Sequence, residues 1–115
     1  MEESIPALNL TVLKAKTDDD KKVGRALVYI FVRQSNENLA AMRRHAISPV
    51  KTAQWSELAH ELKGAVSAIG AEHLRALCTQ AQHCEGSATE RVALFHKIEQ
   101  EYHRVLSALK DEGLL

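Results

Sequence analysis

The sequence predicts an all-α fold, an antiparallel four-helix bundle with a short additional N-terminal helix. Three observations predict it. Apolar residues recur at helical spacing through most of the chain, most plainly at Val92, Phe95, Ile98, Tyr102, Val105, Leu106 and Leu109. Turn-forming residues are sparse, 5 Gly and 2 Pro in 115 residues, which is too little punctuation for an all-β chain. Short connections between four substantial periodic segments favour neighbours that run antiparallel. The length suits one domain spanning residues 1–115. Aromatics make up only 4% against 45% hydrophobic residues, so the core must be aliphatic.

Residues 1–8, with Pro6, read as a flexible lead-in. Leu10, Val12 and Leu13 can anchor a first helix over Asn9 to Lys16, with Asn9 as N-cap. Thr17-Asp18-Asp19-Asp20 marks the start of a second helix, from Asp19 to about His45, with acidic groups at the positive end of its dipole. Its stripe is Leu27, Val28, Phe31, Leu39 and Met42. The run from Ala26 to Val32 is apolar nearly all round, and alone it would also suit a buried strand. Helix is preferred because the pattern continues to Met42 without a breaker and no partner strand exists. So wide an apolar face suits a helix packed on two neighbours, and part of it can serve as a docking surface.

A connection follows from Ala46 to Thr52, in which Ser48-Pro49 can cap and open a helix. The third helix runs from Pro49 or Ala53 to Ile69, with Gly70 as a left-handed C-cap. A fourth runs from Ala71 to His83 on a stripe of Leu74, Leu77, Cys78 and Ala81. Glu85-Gly86-Ser87 is a turn, and Ser87-Ala88-Thr89-Glu90 fits a capping box for the last helix, Ala88 to about Leu109.

The third helix carries the candidate site. With Leu62 at the centre of its apolar face, Trp55, Leu58, Ala59, Ala65, Val66 and Ile69 fall within about 60° of that centre. His60 and Gly64 fall about 160° away on either side, so both face solvent. A glycine inside an exposed helix costs about 1 kcal/mol against alanine. Clearance for a bulky partner beside His60 would offset that cost, and close packing against a neighbouring helix is the other use for such a glycine.

Charge and composition exclude several classes. Fifteen basic and fifteen acidic residues give a formal charge of zero, which argues against nucleic acid as a partner. No apolar run approaches the roughly 20 residues that span a bilayer, and Met1-Glu2-Glu3-Ser4 lacks the start of a signal peptide. A cytoplasmic chain is therefore expected, with Cys78 and Cys84 as reduced thiols. The Met1 start favours a free-standing protein. Glu57-x-x-His60 has the spacing of carboxylate-bridged metal sites, but no second copy occurs and both residues face outward. His83-Cys84 offers too few ligands for zinc. No metal site of its own is expected, and no ATP-binding signature is visible.

His60-Glu61-Leu62-Lys63-Gly64, followed by Ile69-Gly70-Ala71, Leu74 and Leu77-Cys78, resembles the signature of histidine-containing phosphotransfer (HPt) domains. The match covers about Trp55 to Gln82. The resemblance implies that His60 accepts a phosphoryl group from one receiver-domain aspartate and passes it to another in a two-component multistep phosphorelay. Response-regulator receiver domains and a hybrid sensor kinase are then the partners, and a monomer is expected. Lys63 would neutralise phosphoryl oxygens, Gly64 would give clearance, and Gln82 would bond the ring nitrogen that does not react. Gln80, about 200° round the helix from Gln82, is the poorer candidate. The chain would be a carrier without kinase activity and without a cofactor, Mg²⁺ being held by the partner receiver domain. Ala65 and Val66 stand where the family commonly has small hydroxyl residues. The rival reading is a helical module that docks response regulators without phosphoryl turnover.

Overall fold

A computed structural model describes residues 6–115 of the chain. Five helices account for most of it: α1 (Leu10–Thr17), α2 (Lys21–Ala46), α3 (Ala53–Ala68), α4 (Glu72–Gln82) and α5 (Ala88–Asp111), with no strand among the described residues. The apolar run 26–32 is helical throughout. α2 packs on α3, α3 on α4, α4 on α5 and α5 back on α2, while α1 leans on α2. The core between them is built from Val28, Met42, Trp55, Leu62, Ile69, Leu74, Ile98 and Leu109, all but sealed from solvent. Every residue of the expected α4 stripe is buried.

The N-terminal expectations change in two places. Residues 1–5 of the expected lead-in lie outside the described residues, but Ala7 and Leu8 are buried against the core instead of hanging free. The reason is a tether: the Asn9 N–H donates to Gly70 O at 2.8 Å, and the Asn9 side chain accepts from Val12 N and donates to Glu72. Asn9 is thus the N-cap of α1 and also binds the turn after α3. The aspartate run does not open α2 at Asp19. Asp18 and Asp19 adopt left-handed backbone, with φ of 51° and 55°, and make the turn between α1 and α2. Short polar side chains tolerate that region better than most. Asp20 alone is the cap, accepting from Lys22 N and Val23 N.

Farther along, Ser48-Pro49 does not open α3. Thr52 does so, its hydroxyl accepting from Trp55 N. Ser48 is used differently: its carbonyl accepts from the guanidinium of Arg91, which also donates to Gly86 O at 3.0 Å. Arg91 is 1% exposed and ties the α2–α3 connection to the α4–α5 connection. Gly70 ends α3 as expected. Its φ is +75°, Gly70 N bonds Ser67 O and Ala71 N bonds Val66 O, the paired bonds of a Schellman motif. Ser87 caps α5, but only half of the capping box forms, because the Glu90 carboxylate lies over Gly86. α2 buries Val28, Phe31, Leu39 and Met42 as expected, yet its apolar face is wider than its neighbours cover. Tyr29 and Ile30 remain 66% and 51% exposed.

Candidate functional site

α3 presents the site, and its rotation is set from the opposite side. Trp55, Ala59, Leu62 and Val66 are buried at helical spacing, which turns the residues between them outward. His60 is exposed on that outward face, with no hydrogen bond or ion pair among the described residues. One turn later Gly64 is also exposed. A Cβ built on Gly64 meets nothing within 4 Å, so this glycine does not serve close packing and the surface beside it is bare.

His60 lines a shallow hollow with Ser56, Glu57, Glu61 and Gln82. Two expected site residues, His60 and Gln82, are therefore brought together from α3 and α4. No hydrogen bond joins them. The Gln82 side-chain oxygen is buried and has no partner. Within the hollow, the Ser56 hydroxyl is already donated to the Gln82 carbonyl at 2.9 Å, and carboxylates lack a proton to give. Gln80 is exposed and does not line the hollow.

The other expected residue, Lys63, stands outside the hollow. It is half-buried, and its charge is felt at Cys78 of α4. Burial pushes the Cys78 thiol up to about 12, and the Lys63 ammonium opposes that rise. The departures Ala65 and Val66 are explained by packing: Val66 is wholly buried and Ala65 is partly covered against the core.

Sequence reasoning missed Ser56 as a neighbour of His60, although its position one turn before it on the same helix was a usable signal; Glu57 was paired with His60 only as a metal-ligand spacing. It also missed what holds α4 in place. Trp55 Nε1 donates to Ala81 O at 2.7 Å, and Ser56 Oγ donates to Gln82 O. Both carbonyls lie at the end of α4; Ala81 O also takes the N–H of the cap residue His83, whereas Gln82 O is left to Ser56. Adjacent residues of α3 thus cap the C-terminal end of α4 from the side, which fixes where Gln82 begins.

Chemically the arrangement offers an accessible imidazole, open approach on the Gly64 side, and in the same lining Gln82 with its side-chain oxygen uncommitted. A histidine in water is largely neutral near pH 7 and can act as a nucleophile. Comparison with known proteins matches residues 26–108 to a family model described as Hpt domain. No curated protein and no solved structure matches the chain.

Proposed function

This chain belongs to the Hpt domain family, and from that premise we propose that it relays a phosphoryl group between receiver-domain aspartates through His60. Hpt domains are phosphocarrier modules of phosphorelays, so histidine phosphotransfer is the function at family level. The observation that carries the finer reading is the exposed, unpartnered His60 beside the bare surface at Gly64.

The step is a simple exchange. A neutral imidazole nitrogen of His60 attacks the phosphorus of an aspartyl phosphate in line. The N–P bond forms as the acyl P–O bond breaks, and the aspartate carboxylate leaves on the receiver. The other ring nitrogen keeps its proton and donates it to the Gln82 oxygen, which orients the ring. Delivery to the next aspartate is the same step reversed. Lys63, a mobile point charge one turn from His60, meets the phosphoryl oxygens at the edge of the site. A receiver domain would hold Mg²⁺, which would supply charge neutralisation for the transferring group on the partner's side. The four longer helices serve as an antiparallel bundle, in keeping with the opposed order of contacts along α2 and α5, where Arg25 meets Gly113 and Asn36 meets Tyr102. Exposed Val23, Tyr29 and Ile30 on α2 add apolar surface that a docked receiver can cover. No helix among the described residues is long and apolar enough to cross a membrane; a monomeric chain acting in the cytoplasm belongs to the same proposal.

The test is transfer from a panel of phosphorylated receiver domains to the purified chain. Label is expected to reach the chain from at least one receiver and to be acid-labile and base-stable, as a phosphoramidate is. A receiver that binds without passing label would instead favour the docking reading, and acid-stable label would place the phosphoryl group on another residue type.

A further inference from the structure

The hydrogen bond from Ser56 to the end of α4 sits where it can govern the site without touching a substrate. Ser56 lies one turn before His60 on α3, lines the same hollow, and gives its proton to the Gln82 backbone carbonyl at 2.9 Å. That carbonyl belongs to Gln82, which lines the hollow and whose side-chain oxygen is buried and partnerless. α4 has no residue of its own to hold this end: the cap His83 donates its N–H to Ala81 O and Thr79 O, leaving Gln82 O to Ser56. The neighbouring Trp55 bond to Ala81 O holds the helix against α3. The Ser56 bond fixes the last residue of α4 in particular.

We propose that Ser56 is a positioning residue for His60, acting through Gln82. Its hydroxyl holds the Gln82 backbone so that the side-chain amide reaches the imidazole N–H, which fixes the tautomer that leaves the outer nitrogen free to attack. Without the hydroxyl, Gln82 O turns to water, the last turn of α4 loosens, and the amide no longer holds one direction. The inference rests on the phosphoryl-carrier reading of His60 and names a residue that reading does not require.

The decisive experiment is a double-mutant cycle on the full chain, with phosphoramidate as a small phosphoryl donor and ³¹P NMR as the readout. Here the P–N bond of the donor breaks, ammonia leaves, and the His60 N–P bond forms. Ser56→Ala is expected to slow His60 phosphorylation about fivefold, the rate equivalent of one net hydrogen bond. Ser56→Thr keeps the hydroxyl and is expected to stay near the wild-type rate. In a Gln82→Ala chain the Ser56→Ala change should alter the rate less than about twofold, since coupled residues are non-additive. An equal effect in both backgrounds, or none in the wild-type background, overturns the proposal. ¹⁵N signals of the His60 ring give a second readout that a merely structural role would not move: the tautomer ratio should respond to Ser56→Ala only when Gln82 is present. Receivers that label the chain while the cycle is additive would sink the positioning role alone. An intact cycle with no receiver able to deliver label would sink the relay and leave the positioning role standing.

Discussion

His60 and Gly64 sit on adjoining turns of one exposed helix face, and each is informative because of the other. Nothing touches a Cβ placed on Gly64, so the glycine is a cost to α3 with no return in packing. Gly64→Ala should therefore stabilise the protein by about 1 kcal/mol, read as a higher denaturation midpoint. Gly64→Gln should leave stability equal or higher while slowing phosphoryl transfer from a receiver severalfold, because the obstruction concerns only the docked partner. Unchanged transfer in Gly64→Gln would remove the clearance explanation. Cys78 supports a different prediction. Its thiol ionises near 9 in an unfolded chain and near 12 when buried in the fold. Between those values the unfolded chain has lost the proton and the folded chain has kept it. The thiol's contribution is thus fully present below pH 9 and declines as pH rises toward 12, by at most about 1.4 kcal/mol per pH unit. Cys78→Ala should show a flatter loss of stability between pH 8 and pH 10 in urea titrations; an identical slope would contradict the buried-thiol account. At this scale the outward placement of His60 and Gly64 on α3 was legible from the order of residues, and so was the place of Gln82 beside His60, whereas Lys63 stands outside the hollow. Arg91 was not, because its burial depends on two carbonyls, Ser48 O and Gly86 O, contributed by separate connections.

At the scale of elements, the joint between α1, α3 and α4 is held by backbone. Asn9 bonds Gly70 O, and a Cβ on Gly70 would come 2.9 Å from Asn9 O at a φ of +75°. Gly70→Ala should therefore cost about 1–3 kcal/mol, seen as a lower denaturant midpoint, with Leu10–Thr17 the first segment to lose amide-exchange protection. A neutral substitution would mean the turn can relax freely. The glycine was recognisable from its place after an apolar period. Its partner was not, since Asn9 is far away in sequence. The helix starts show the same division. Asn9 and Ser87 were readable as caps because each precedes a periodic segment. Asp18 and Asp19 misled, because a run of three aspartates satisfies the rule for a cap at each position while the chain must still reverse between α1 and α2. Of the two starts open to α3, Pro49 and Ala53, the structure takes Ala53: proline permits a helix start without requiring one, and Thr52 makes the capping hydrogen bond.

For the molecule as a whole, the helical pattern and the core were open to reading because burial follows period. Val28, Phe31, Leu62, Leu74, Ile98 and Leu109 lie where a 3.6-residue repeat puts them. The ends of the chain were less legible. Ala7 and Leu8 are too few to show a period, yet both are buried. Removing residues 1–8 should therefore lower stability by about 2–3 kcal/mol, in line with exposing one leucine-sized and one smaller side chain, and a thermal melt checks it. α1 and the start of α2 also precede the Hpt match over residues 26–108. These segments brace the bundle from outside the matched region, and the truncated chain should keep its phosphoryl acceptor while losing stability. What a repeat cannot reveal is how α4 is held beside His60, for the bonds from Trp55 and Ser56 exist only once the two helices meet.

The central claim, that His60 is the phosphoryl acceptor, is tested most directly by one comparison. A receiver domain carrying labelled aspartyl phosphate is mixed with the wild-type chain and with His60→Gln, and the helical circular dichroism of both is recorded. The account predicts label on the wild-type chain, none on His60→Gln, and the same helical signal from each. Label that persists on a folded His60→Gln chain would contradict it.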